Sequence, residues 1–268
     1  MLQTVQKIGP ILDLFTVERP EWGVSEVAEV IGVPRSSAHA LLSSLVGTGL
    51  LQNRARGRYR IGWRVVELSD TLGCGQDVRS AAAPVLQELV HRHGETCHLA
   101  VLERYKVLYL DKVVGTHVVT VTGTRVGAAV DAHCNGVGKV LLAHRSPAEV
   151  ARHVLERPLK RHTPATITTP DSLENELNAV RMQGFAIDRG ETVTDVWCAA
   201  APVRDEMGSV VAAISMTVPV HRFVSAQAVL QRAVTSAAAS ISRSLSAPDD
   251  GAPAPARRGP GRLDLVAS

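Results

Sequence analysis

The sequence predicts an α+β chain in two parts: a helical N-terminal quarter ending in a β-hairpin, then a larger domain of antiparallel strands with helices at both ends. Three observations lead there. The stretch VSEVAEVIGVPRSSAHALLSSL (24–45) carries small and apolar residues at helical spacing on both sides of Gly32. LLQNRARGRYRIG (50–62) reads as two short strands around the turn residues Asn53 and Gly57. Beyond residue 95, β-rich runs cluster at 97–103, 107–114, 118–123, 185–188, 196–203 and 210–218, the last two joined by the turn-like EMGS.

The individual elements follow in order. Residues 4–17 suit an amphipathic lead helix through Val5, Ile8, Ile11, Leu12 and Phe15, with Pro10 kinking it or marking its start. A helix over 25–31 would bury Val27, Ala28 and Ile31, Gly32 would supply the tight turn, and Pro34 would stand in the first turn of a second helix. Residues 63–73 look like a short connecting helix, within a linker that spans 63–77. A longer helix over 78–93 faces Val85, Leu86, Leu89 and Val90 inward. SPAE (146–149) and Thr169–Pro170 are helix starts, the second helix ending before Gly184. A last helix from Ser225 buries Leu230, Val234, Ala237, Ile241 and Leu245. These divisions give a first domain over 1–62, a linker over 63–77 and a second domain over 78–246. The Pro-, Gly- and Ala-rich segment 247–268 has the composition of a disordered tail.

Composition narrows the function classes. With 45 % apolar and 21 % charged residues, 268 residues can bury two modest cores, and 3 % aromatics means cores of Leu, Val, Ile and Ala. The start of the chain lacks a basic n-region, and Asp13 interrupts its apolar run, which argues against a secretory signal. VVAAISMTVPV (210–220) is far shorter than the roughly 20 residues of a membrane-spanning helix, so no membrane partner is expected. Cys74, Cys97, Cys134 and Cys198 form no CxxC pair, as reduced cytoplasmic thiols would be arranged.

Charge is unevenly placed. Between Glu29 and Glu67 there is no acidic residue, while Arg35, Arg54, Arg56, Arg58, Arg60 and Arg64 all fall there. A helix-turn-helix beside an arginine-bearing hairpin is a winged helix suited to double-stranded DNA. The second helix would present Arg35, Ser36, Ser37 and His39 to bases, with Ser25 and Pro34 at the two helix starts in the same DNA-facing set. The arginines of the wing would meet the phosphate backbone or the minor groove.

DAHCNGVGKVLLAH (131–144) invites three other readings. Cys134 with His133 or His98 would make a hydrolase, but adjacent residues on a helix-start loop rarely face each other, and no acidic orienting partner is evident. A metal-responsive regulator would draw on Cys97, His98, His133, Cys134 or Cys198, whose spacings match no zinc pattern. A Walker A loop fails at His133 and Val140, which stand where Gly and Ser or Thr are required. The sequence therefore predicts neither an enzyme nor a metal or cofactor site, with Lys139 on the helix surface and His133 and Cys134 as lining or packing residues.

The blocks VSEVAEVIGVPRSSAHALLSSL, HCNGVGKVLLA, TPATIT, GFAIDRGE and CAAAPVRDEMGSVVAAISM resemble the IclR family of bacterial transcription regulators, over nearly all of the chain up to about residue 245. The resemblance implies a winged helix joined by a linker helix to a GAF-like effector-binding domain. It also implies a homodimer or dimer of dimers on palindromic operators, in a cytoplasmic, nucleoid-associated protein. By the same resemblance a small-molecule effector, an organic or aromatic acid, is held by Gly136 and Val137 with Asp188, Cys198, Ser215 and Thr217. Elementary geometry agrees in part: a helix start offers N–H groups to an anion, and Ser215 and Thr217 share one face of a strand. Asp188 would repel a carboxylate unless it meets a hydroxyl or is itself protonated. Three positions depart from the family pattern: Ala40 in place of a common arginine, Asp131–Ala132 in place of Pro–Leu, and Asp195 in place of glycine.

Overall fold

A computed structural model describes residues 3–71, 73–117 and 124–246. The expected strand at 118–123 and the tail at 247–268 lie outside the described residues. The chain divides into two compact units, Met1–Gln76 and Asp77–Ser268.

The first unit packs α1 (Gln3–Asp13), α2 (Val24–Ile31) and α3 (Arg35–Gly47) against a small antiparallel sheet. Its strands are β1 (Trp22–Gly23), β2 (Leu51–Arg54) and β3 (Arg58–Ile61), in the order β1-β3-β2. Ile11, Val27, Ala38 and Leu42 are fully buried at its centre. The lead helix ends at Asp13 rather than 17, and Pro10 lies inside it. The Trp22 indole N–H donates to the Leu14 carbonyl just beyond that end, at 2.7 Å. Gly32 takes the left-handed conformation (φ 65°) that the inter-helix turn needs. Pro34 sits immediately before α3 with extended ψ (146°), not in its first turn. A two-residue strand such as β1 carries no periodic signal in the sequence; in the fold it pairs Gly23 with Arg58. The helix α4 (Arg64–Asp70) follows.

The second unit is built on a six-stranded antiparallel sheet in the order β6-β5-β4-β9-β8-β7. Its strands are β4 (Thr96–Glu103), β5 (Lys106–Val113), β6 (Ala129–Asp131), β7 (Ala186–Arg189), β8 (Val196–Arg204) and β9 (Val210–Pro219). One face presents Leu99, Ile214, Met216, Ala199 and Val203 to α5 (Gly73–His93) and α9 (Val220–Ser246). The other presents alanines 100, 213, 200 and 186 to α6 (Gly136–Ala143) and α8 (Pro170–Gln183). Helices therefore cover both faces, so Ser215 and Thr217 are buried, not on a solvated face. Two helices begin earlier than expected, α5 at Gly73 and α9 at Val220, the latter adding the fully buried Phe223 to its apolar stripe. Among the described residues no helix is long and apolar enough to cross a membrane.

Helix α6 lies unusually close to its neighbours. A Cβ on Gly138 would fall 2.2 Å from the Ala132 carbonyl oxygen, and one on Gly136 would fall 3.1 Å from the Ala200 Cβ. Lys139, expected on the surface, is instead fully buried. Its ammonium donates to Glu191 Oε1 (2.5 Å), Glu176 Oε1 (2.8 Å) and the Ile187 carbonyl (2.7 Å). Burial works against the charge, but Glu191 and Glu176 outweigh it and raise the pKa. Replacing Lys139 by Met should cost about 3–5 kcal/mol in urea unfolding, because it leaves two carboxylates and a carbonyl facing an apolar side chain. That deficit should shrink in acid, where the orphaned carboxylates are protonated.

Candidate functional site

On α3 the buried residues Ala38, Leu42 and Leu45 fix the opposite face outward. Pro34, Arg35, Ser36, Ser37 and His39 are all exposed, as is Ser25 in the first turn of α2. Arg35 and His39 have no ion-pair partner among the described residues, and no acidic side chain shares their helix. Both remain available to a polyanion.

The wing arginines divide into two kinds. Arg56 is exposed in the tight turn Ala55–Gly57, with a left-handed backbone (φ 61°) and no partner among the described residues. Arg54 and Arg58 instead reach back to Glu21 (3.7 and 3.8 Å), and Arg58 also reaches Glu26 (3.4 Å) and the Glu21 carbonyl (2.7 Å). Glu26 accepts from the Gly23 N–H at 2.7 Å and pairs with Arg19. The Gly23 bond, ahead of the arginines, holds its carboxyl below the usual range. Arg60 lies against Gln52 (3.4 Å), with its Nε buried and unpartnered among the described residues. Sequence reasoning counted these arginines but not the acids at 21 and 26, which β1 brings alongside.

In the second unit a cavity of about 210 Å³ collects all six expected effector residues: Gly136, Val137, Asp188, Cys198, Ser215 and Thr217. It exceeds the roughly 150 Å³ that suffices for a benzene ring. Register explains the gathering. Cys198 pairs with both Asp188 and Thr217 across β7, β8 and β9, so these side chains point to one face. Val130, Val193, Val196 and the Tyr109 ring supply apolar walls.

The mouth of the cavity is made by the start of α6. Asn135 caps it, accepting from the Gly138 N–H at 2.8 Å and donating to the Asp131 carbonyl at 2.6 Å. The N–H groups of Gly136 and Val137 have no acceptor among the described residues, as the first turn of a helix leaves them. The Ser215 hydroxyl is likewise without a partner there. Asp188 is 4 % exposed and accepts from the Glu191 N–H at 2.8 Å. Burial first, then the neighbouring Glu191, pushes its pKa up to about 7.

Thr217 lies 3.3 Å from both Cys198 Sγ and His98 Nδ1. Burial and Lys112 push the His98 pKa down to about 3, so this ring is neutral. Sequence reasoning missed Tyr109, His162, Thr192 and Asn135 in the lining. Of these, Asn135 alone carried a signal, as a favoured cap residue directly before GVGK.

The cysteine–histidine reading finds no geometry. His133 Nε2 faces the Lys160 carbonyl at 3.0 Å, while Cys134 Sγ donates to the Asp131 carbonyl at 3.5 Å. Burial raises the Cys134 pKa to about 11, the opposite of what a thiolate nucleophile needs. Among the described residues no three His, Cys, Asp or Glu side chains converge as metal ligands would.

Comparison with known proteins agrees with this two-part construction. The helix-turn-helix domain of IclR matches residues 4–55, and the C-terminal region of the bacterial transcriptional regulator IclR matches residues 74–243. The HTH-type transcriptional regulator XynR of Escherichia coli (strain K12) is 31 % identical over 250 residues, covering 92 % of this chain and 99 % of XynR. The glycerol operon regulatory protein of Streptomyces coelicolor is 30 % identical over 254 residues, covering 92 % and 97 % of the two chains. Among solved structures, an IclR homologue from Microbacterium hydrocarbonoxydans complexed with 4-hydroxybenzoate matches with a TM-score of 0.79 and 29 % identity, over 91 % of this chain and 99 % of that one. A regulator from Silicibacter sp. TM1040 matches with a TM-score of 0.80 and 27 % identity, over 91 % and 97 %. This chain belongs to the IclR family of bacterial transcription regulators.

Proposed function

We propose that this regulator binds operator DNA through Arg35, Ser36, Ser37, His39 and the wing tip, and that a small carboxylic acid in the 210 Å³ cavity controls that binding. It acts without catalysis, as a cytoplasmic, nucleoid-associated homodimer or dimer of dimers on a palindromic operator. The carrying observation is the meeting, in one cavity, of two unpaired helix-start N–H groups with the Ser215 hydroxyl and Asp188. The N–H groups and Ser215 take the carboxylate. A protonated Asp188 donates to the ligand, and the apolar walls accept a ring or short chain. An aromatic acid such as the 4-hydroxybenzoate of the Microbacterium homologue is the first compound to try.

Fluorescence anisotropy with DNA from the protein's own upstream region tests the DNA half. Binding should be salt-sensitive, and Arg35→Ala or Arg56→Ala should each weaken it and lower the salt slope by about one counterion. Arg58→Ala should lower the stability of the first unit instead, because Arg58 is held by Glu21 and Glu26. Absence of sequence-specific binding would sink the proposal, and so would an acid panel that leaves the affinity unchanged.

Asp188 gives a pH test. Its folded-state pKa, about 7, lies above its unfolded value near 4, so the folded chain keeps a proton that the unfolded chain has released. The stability it contributes is full below pH 4 and is lost as pH rises to about 7. A carboxylate ligand prefers the protonated form, so its affinity should fall by up to about tenfold per unit above pH 7. Asp188→Asn should flatten both the thermal midpoint difference and the calorimetric affinity profile. Equal pH slopes in the two proteins would refute the role given to Asp188.

A further inference from the structure

Asp131 also lines a second, separate cavity of about 430 Å³ whose chemistry is different. Among the described residues the lining of the effector cavity holds no Lys or Arg. Among the described residues the second one has four: Arg104 from the β4–β5 turn, Lys106 at the start of β5, and Arg157 and Lys160 from the segment after α7 (Pro147–Val150). The rings of His133 and His153 join them, and among the described residues Asp131 is the only acid in the wall. Its carboxylate lies 3.4 Å from the Lys106 ammonium. Arg157 and Lys160 have no ion-pair partner among the described residues. A concave surface with this excess of positive charge concentrates the potential felt by an anion.

The backbone supports a role for these side chains beyond folding. Arg104 and Tyr105 form the two-residue turn between the paired residues Glu103 and Lys106. Both take left-handed φ, 50° and 60°. Asn–Gly fills such a hairpin turn without strain; arginine and tyrosine do not. The Arg104 side chain is 87 % exposed, and its one ion-pair partner among the described residues is its sequence neighbour Glu103, at 3.4 Å. Tyr105 stacks on His153, with ring centroids 4.1 Å apart and planes 12° from parallel. His153 sits in a π-helical turn, Ala151–Leu155, a local irregularity concentrated at functional sites. A strained turn and a π-helical turn thus meet at one basic concavity, and nothing in the packing of the core calls for Arg104.

We infer that this cavity is a second ligand site, for a small anion of two or more negative charges, carried as a phosphoryl group or as several carboxylates. The guanidinium groups of Arg104 and Arg157 hold the anionic oxygens, Lys106 and Lys160 add point charge, and the Tyr105–His153 stack forms the floor. An anion there competes with Asp131 for Lys106. Asp131 Oδ2 also lies 3.4 Å from His162 Nε2, and His162 lines the effector cavity. The two sites therefore share one carboxylate as a common wall.

Isothermal titration of the full chain at low ionic strength, with inorganic pyrophosphate and separately with citrate, tests this. Saturable binding of either supports the site, and the anion that binds identifies the source of the charge. Arg157→Gln with Lys160→Gln should weaken it by about tenfold or more. Arg104→Asn with Tyr105→Gly should weaken it too while raising Tm, because the turn is relaxed; a simple loss of fold would lower Tm. Ser215→Ala with Thr217→Ala, in the effector cavity, should leave the anion affinity unchanged. The inference is overturned if neither anion binds, if binding survives both basic-site variants, or if the effector-cavity variant abolishes it. Binding of duplex DNA alone by this face would equally overturn it.

Discussion

The close approach of α6 to the sheet is the constraint on which the second unit depends. A helix can offer its first N–H groups to a ligand in a cavity only if its start is brought against the polar strip of the sheet and held there. Gly136, Gly138 and the alanines at 132 and 200 remove the side-chain bulk that would prevent it. Asn135 satisfies the third N–H of the helix and ties it to Asp131. Lys139 then anchors the same helix from inside, between α8 and the turn after β7. A buried ammonium is tolerated only with this full set of acceptors. Because the Glu191 N–H also donates to Asp188, one residue joins the Lys139 anchor to the cavity wall.

Most of this architecture was legible, for specific reasons. Helical spacing either side of Gly32 gave α2 and α3, and the runs at 196–203 and 210–218 gave the adjacent strands β8 and β9 almost residue for residue. The six effector residues expected from the family resemblance line one cavity, and alternation alone put Ser215 and Thr217 on a common face. What escaped was long-range. Lys139 reads as a surface lysine because its carboxylates lie 37 and 52 residues away. His162 and Thr192 reach the cavity from loops, where no periodicity marks a direction. Arg58 looks free in the sequence, since nothing local announces that Glu21 and Glu26 will stand beside it.

That last point bears on how the first unit meets DNA. A run of arginines suggests several equivalent phosphate contacts, yet an arginine already paired must give up its carboxylate before it gains a phosphate. Exchanging one ion pair for another at a solvated surface yields little. On the proposed mode of binding, net gain would concentrate on cations without partners among the described residues, Arg35 on α3 and Arg56 at the wing tip. The paired arginines do structural work instead: they bind β1 and the start of α2 to the wing, and so fix where Arg56 is presented.

Backbone conformation gives an independent indication of where side chains matter. At left-handed positions the chain mostly uses glycine, as at Gly32, Gly57 and Gly184. Among the described residues the exceptions are Arg56, Arg104 and Tyr105. Glycine or asparagine would make each of these turns more stable, so folding alone does not select arginine or tyrosine there. Among the described residues Arg56 has no hydrogen-bond or ion-pair partner, and Arg104 pairs only with its neighbour. Both are cations projected from a hairpin tip. In the wing that placement suits a phosphate of DNA; in the β4–β5 turn it faces a cavity lined by three more permanent cations. The same strained device at two tips argues that both select for negative charge, one on a polymer and one on a small molecule.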